Sequence, residues 1–130
     1  MEFEIRTTER EQFVEITSRV NDALSDSSIT DGVAVVYCPH TTAGLTINEN
    51  ADPDVICDML DVIGRLVPRD AGYRHCEGNA DSHVKASMVG SSVTVPIRDG
   101  HLGLGKWQGV FFCEFDGPRK RHVHVQVLSA

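Results

Sequence analysis

Glu2, Glu4 and Arg6 alternate with Phe3 and Ile5, and this period of two predicts a half-buried β-strand over residues 3–7. The period then lengthens. Phe13, Ile16, Val20, Ala23 and Leu24 recur at spacings of three or four, which predicts one apolar face of a helix that begins near Glu9 and ends in the polar run 21–30. Gly32 to Cys38 is dense in valine and reads as a buried strand. Leu45 to Asn48 reads as a second, shorter one. Asp52-Pro53-Asp54 is a helix start, with an N-cap acid, proline at the first helical position and a further acid in the first turn. That helix is expected to run to about Val67 and to stop before Pro68. Val55, Ile56, Met59, Leu60, Ile63 and Leu66 form its expected buried stripe, and Asp54, Asp58 and Asp61 a solvated side with Asp61 and Arg65 as an i,i+4 pair.

Residues 68–80 are loop-like, and 81–89 suit a short helix. Val93, Val95 and Ile97 alternate on one face of a strand, and Asp99-Gly100 marks a turn. Trp107 to Phe115 is apolar on both faces, with Trp107 read as packing. Gly117-Pro118 turns the chain into a last alternating strand through Val123, Val125 and Val127. The C-terminal third is expected to be an antiparallel meander. Strict βα alternation is absent, so the fold class is α+β: mostly antiparallel sheets with two main helices and one short helix, in a single domain over residues 1–130.

A chain of 130 residues with 41% hydrophobic content can build its own core. Its net charge of −7 opposes non-specific binding to nucleic acid or to an anionic membrane, because counterion release needs a basic surface. A local basic pocket for a phosphorylated small molecule remains compatible with that charge. No apolar leader opens the sequence and no stretch approaches membrane-spanning length, so a cytoplasmic protein is expected. Cys38, Cys57, Cys76 and Cys113 include no C-x-x-C pair, which argues against a zinc ribbon or a thioredoxin-type site. Cys57 and Cys113 sit among apolar residues and are expected to be buried.

The richest chemistry lies between Tyr37 and Asn50. A strand delivers His40, Thr41 and Thr42, and a short second strand delivers Asn48, Glu49 and Asn50. Loops held by strands are common seats of binding and catalytic groups. Glu114, inside an apolar strand, stands either at an open strand end or partly buried. In the second case it needs a partner, and Arg119 and Arg121 are the candidates. His40, His75 and His83 lie on separate elements, where they could converge on a metal or stand apart. His122 and His124 share one strand face, as edge decoration or as an interface stripe. The glycines of 100–105 lack the Lys-Ser/Thr of a phosphate-binding loop, and no G-x-S-x-G elbow occurs.

The run from His40 through Val55 resembles the YjbQ-like proteins, also called secondary thiamine-phosphate synthase enzymes. So do Tyr73-Arg74-His75, His83-Val84-Lys85-Ala86-Ser87, Ser92 to Ile97, Gly100, Gly105, Trp107-Gln108, Glu114 and Arg119. The resemblance covers nearly the whole chain. It implies a compact α+β domain that assembles as a homotrimer, with a pocket near the subunit contacts. It also implies site roles: His40, Glu114 and Arg119 as catalytic groups, Thr41, Thr42, Asn48 and Glu49 as substrate-binding groups, and His40, His75 and His83 as ligands of a divalent metal, zinc or magnesium.

The implied activity is weak thiamine-phosphate synthesis, which joins a pyrimidine diphosphate to a thiazole phosphate and releases pyrophosphate. Such chemistry needs positive charge or a divalent metal on the leaving diphosphate. Arg119, with Arg74 or Lys85, is the expected source of charge. Three further readings stand beside it: a non-catalytic metabolite-binding trimer, a metal-dependent phosphate-ester hydrolase, and an interaction protein using strand 107–115 as a subunit interface.

Overall fold

A computed structural model describes residues 1–130. Two antiparallel sheets face each other. The larger has the strand order β1 (Glu2–Arg6), β8 (Lys120–Ser129), β3 (Gly32–Tyr37), β5 (Ser92–Arg98), β6 (His101–Leu102), and the smaller the order β2 (Gln12–Glu15), β7 (Gln108–Glu114), β4 (Ala43–Glu49). Helices α1 (Thr17–Ser27), α2 (Pro53–Leu66) and α3 (Ala80–Val89) complete the chain. No helix is long and apolar enough to cross a membrane.

The alternation in each strand decides what the sheets bury. Val36, Val123 and Val125 point inward from the large sheet and meet Leu45, Val110 and Phe112 of the small one, with Ile16 and Val20 beside them. Burying side chains of this size stabilises the fold by roughly 1.5–3 kcal/mol each. Phe111, Cys113 and Phe115 lie on the opposite side of β7, against Ala86 of α3 and Ile56 and Ile63 of α2. The apolar character of β7 on both faces is therefore consumed inside the chain, which removes the expectation that this strand forms a subunit interface.

Three expectations about elements are corrected. The helix expected from Glu9 starts only at Thr17, because Gln12–Glu15 instead pairs with Phe111–Glu114. Phe13 leaves the helical face and packs edge-on against Phe115 at 6.2 Å between ring centroids. Tertiary pairing has overridden a local helical period. The C-terminal third is not a meander either. β5 and β6 pair, but β7 crosses to the small sheet and β8 returns between β1 and β3. Finally, α2 has the expected cap, with the Asp54 N–H donating to Asp52 Oδ1 at 2.9 Å, yet buries none of its residues fully. Leu66 is 66% exposed and Val62 42%. Cys57, on the same helix, is exposed as well, unlike Cys113. Asp61 and Arg65 form no ion pair, and Trp107 is exposed rather than packed.

Candidate functional site

His40 sits where the sequence places it, in the turn between β3 and β4. The Cys38 N–H donates to Ser91 O at 2.8 Å and the Leu45 N–H to Gly90 O at 3.0 Å, so the end of α3 is laced to both strands. Gly44 makes this approach possible, since a Cβ there would lie 2.5 Å from Gly90 O. α3 thus brings His83 to the same opening as His40.

Two adjoining cavities occupy that opening. One, of about 410 Å³, is bordered by His40, Thr41, Thr42, Asn79, His83 and Arg119, with Glu77, Asp116 and Arg121 completing a wall that has no hydrophobic side chain beyond Pro39. The other, of about 490 Å³, shares His40, Thr41 and His83 and continues along Ala43, Ala86, Ser87, Gly90 and Ser91.

A buried ion pair underlies the first cavity. Glu114 has no exposed surface, and Arg121 is 3% exposed. Arg121 Nε donates to Glu114 Oε1 at 2.9 Å and Nη2 to Oε2 at 2.5 Å. Thr7 Oγ1 and the Asp116 N–H donate to the same carboxylate at 2.8 and 3.0 Å. Arg121 Nη2 also donates to Thr42 Oγ1 at 2.8 Å. Strand alternation selects Arg121 over Arg119 as the partner: Arg121 faces inward with Val123 and Val125, whereas Arg119 precedes the strand and bonds Asp116, Nη2 to Oδ2 at 2.9 Å. Glu114 thus reaches the cavity through Arg121 and Thr42. Asp116 accepts in turn from Asn79 Nδ2 at 2.9 Å, which leaves the buried Asn79 Oδ1 without a donor.

The His122 N–H donates to His40 Nε2 at 2.9 Å, so the lone pair on that nitrogen is engaged and the proton of the neutral ring belongs on Nδ1. Burial, followed by the positive charge of Arg121, holds the His40 imidazole below its ordinary value of 6.5. His75 and His83 meet edge-on, with ring centroids 5.3 Å apart, but His75 lies outside both cavities. No three His, Cys, Asp or Glu groups stand together in metal-holding geometry. A zinc centre made of His40, His75 and His83 therefore does not fit this chain, because zinc needs three or four convergent donors with free lone pairs.

Asn48 and Glu49 are not brought to this opening. They lie at the far end of β4, about 20 Å along the strand from His40, where Asn48 Oδ1 accepts the Glu49 N–H at 2.7 Å. Lys85 is also withdrawn. Its side chain is 1% exposed and its ammonium bonds Glu11 at 2.8 Å and Asp81 at 2.9 Å, so it cannot offer charge to a ligand. Arg10 holds Asp81 from the other side at 3.1 Å. Burial raises the Asp81 carboxyl, but the hydrogen bonds from Arg10 and Lys85 outweigh it and hold Asp81 below its ordinary 3.8.

Sequence reasoning missed Asn79, Asp116 and the Arg10–Asp81–Lys85 cluster. One signal for the cluster was available: Asp81 and Lys85 stand at i,i+4 in a short helix without an apolar stripe, which must be held by something other than hydrophobic packing.

The family model for UPF0047 protein YjbQ-like matches residues 1–130. A UPF0047 protein of Methanocaldococcus jannaschii is 50% identical over 98% of this chain and 92% of its own length. The UPF0047 protein YugU of Bacillus subtilis is 49% identical over 97% and 96%. Among solved structures, a YjbQ/UPF0047 protein from Clostridium acetobutylicum superimposes with a TM-score of 0.97 at 50% identity, covering 98% of this chain and 99% of that one. A protein of unknown function from Sulfolobus solfataricus does so with a TM-score of 0.96 at 29% identity, covering 100% and 96%.

Proposed function

The chain belongs to the YjbQ-like UPF0047 family, and we propose that it is an enzyme acting on a phosphorylated small molecule, with thiamine-phosphate synthesis as a weak, secondary reaction. The observation that carries this reading is the polar cavity in which His40 and His83 share walls with Thr41, Thr42 and Arg119. Two hydroxyls and a guanidinium are suitable donors for phosphate oxygens. Arg119 Nη1 makes no bond within the chain and is free to donate. His40, uncharged above its lowered pKa and carrying its proton on Nδ1, is suited to donate a hydrogen bond to a leaving oxygen or to a developing negative charge.

Glu114 acts here as a positioning residue: it holds Arg121, and Arg121 holds Thr42. Glu77 and Asp116 on the same wall favour a substrate whose phosphates arrive with magnesium, a metal that binds through one or two carboxylates plus phosphate oxygens. The magnesium is then part of the substrate. In the synthase reaction the diphosphate leaves the pyrimidine carbon as the thiazole nitrogen bonds to it, and Arg119 with the magnesium takes up the charge that forms on the leaving oxygen.

The test is pyrophosphate release from the two thiamine precursors, with magnesium or zinc added, by the parent and by His40→Ala, His83→Ala and Arg119→Gln. A drop of about 10²-fold or more is expected in His40→Ala, as for removal of one hydrogen-bond donor to charge that develops in the transition state. Unchanged rates in all three variants would refute the assignment.

We also propose a cytoplasmic homotrimer. The support for the assembly is α2, a 14-residue helix with an apolar stripe that its own chain leaves half open. Neighbouring copies covering it would remove Val62 and Leu66 from water.

A further inference from the structure

Residues 68–78, which join α2 to α3, make no hydrogen bond with the rest of the chain. Their own bonds stay inside the segment: Tyr73 Oη donates to Pro68 O at 2.6 Å and the Cys76 thiol to Arg74 O at 3.6 Å. Every residue of the segment except Tyr73 is exposed. It borders a cavity of about 250 Å³ to which the rest of the chain contributes only Ala80, so the segment arches over space instead of packing. Gly72 and Gly78 have φ of 70° and 79°, and a Cβ built on either meets nothing within 4 Å. They bracket Tyr73 to Glu77 with backbone that glycine adopts freely and that no neighbour restrains. A segment with so few contacts rearranges at low free-energy cost. Yet it touches the candidate site. The His75 ring lies edge-on to His83 at 5.3 Å, and Glu77 borders the charged cavity. Arg74, next to His75, is exposed, and its guanidinium makes no ion pair or hydrogen bond within the chain.

We propose that residues 68–78 are a lid that closes over the charged cavity once an anionic ligand has entered, and that closure lays Arg74 on that ligand. This rests on the proposed phosphate site and adds how the site is covered. In the open form Arg119 is the guanidinium with a nitrogen to spare, since Arg121 is buried against Glu114 and Thr42. One such group is little for a diphosphate on a chain of net charge −7, and Arg74 supplies a second. Glu77 rides on the segment, whereas Asp116 belongs to the turn after β7. A magnesium–phosphate ligand held by both carboxylates ties the lid to the body. Closure also removes water from the space beside His40 and His83, which strengthens every charge-assisted hydrogen bond made there.

Limited digestion with trypsin reads the lid directly, because Arg69 and Arg74 are exposed cleavage sites within it. Lys106, exposed in the loop before β7, serves as the control site away from the cavity. The parent is expected to be cut in the segment, and saturating magnesium pyrophosphate to slow that cut about tenfold while leaving the cut at Lys106 unchanged. Calorimetry on the same samples reports whether the probe binds. In Arg74→Gln, which removes no contact of the open form, the affinity for magnesium pyrophosphate is expected to fall about tenfold, as for loss of one charge-assisted hydrogen bond, and protection at Arg69 to weaken with it. Binding without protection, protection spread equally to Lys106, or an Arg74→Gln variant that binds as tightly as the parent overturns the lid and leaves the phosphate site standing. A parent that resists cleavage at both arginines before any probe is added has the segment already covered, and also overturns it. Absence of binding overturns both the lid and the phosphate site.

Discussion

Arg121 clasps Glu114 with two nitrogens, Nε at 2.9 Å and Nη2 at 2.5 Å, and the pair joins the two sheets at the end where the cavities open. Glu114 belongs to β7 in the small sheet and Arg121 to β8 in the large one. Both are almost free of solvent contact, so neither charge has water to fall back on. Removing one partner is expected to cost about 3–5 kcal/mol, mostly from the charge left unpaired. Urea denaturation of Glu114→Gln reads this directly. The double variant Glu114→Gln with Arg121→Met is expected to be more stable than Glu114→Gln alone, since it removes the orphaned guanidinium. A loss below about 1 kcal/mol in the single variant is incompatible with a buried pair.

His40 should make stability depend on pH near neutrality. Its folded-state value lies below the ordinary 6.5, so between those two values the unfolded chain binds the proton and the folded chain does not. Stability therefore falls as pH drops from about 6.5 toward the folded value, and levels off below it. His40→Gln should flatten that segment. An NMR titration of the His40 ring should give a midpoint under 6.5, and a midpoint above it is the contrary result.

Asp81 should act on the acid side. Its carboxyl is held below 3.8 by Arg10 and Lys85, so its contribution is complete above that value and is lost as pH falls through the lower, folded one. Asp81→Asn leaves the Lys85 ammonium, which is 1% exposed, with Glu11 as its one remaining carboxylate, and is expected to destabilise by about 1.5–3 kcal/mol, the loss of a hydrogen bond between charged groups. Hydrogen exchange should show the loss concentrated in α3, whose end at Gly90 is otherwise tied to β3 and β4 through backbone contacts. Uniform loss across the chain would argue that the cluster does not anchor this helix.

Val62→Glu and Leu66→Glu place charge on the open flank of α2. If copies of the chain cover that flank, sedimentation should shift from trimer to monomer while the far-UV spectrum of the monomer stays folded. A trimer that persists in both variants would move the contact elsewhere. Ile56 and Ile63, which pack α2 against Phe111, Cys113 and Phe115, are left intact in this experiment, so the packing of α2 on its own chain is preserved.

Much of this was legible in the chain itself. Valine density identified the strand through Val36, period-two alternation those through Val95 and Val125, and Asp52-Pro53 located the start of α2, because these depend on backbone preferences and on which faces must avoid water. His40, Thr41 and Thr42 at a strand end, and a carboxylate at Glu114 in need of a partner, were also readable. Pairing was not. Whether Gln12–Glu15 continued a helix or joined β7, and whether β7 and β8 lay side by side or in opposite sheets, depends on partners a hundred residues away. The choice of Arg121 over Arg119, the withdrawal of Lys85 into Asp81 and Glu11, and the separation of Asn48 and Glu49 from His40 by the length of β4 follow from that pairing. A residue's type states which contacts it needs, and only the folded chain decides which of several eligible neighbours comes within the roughly 3 Å over which hydrogen bonds and ion pairs act.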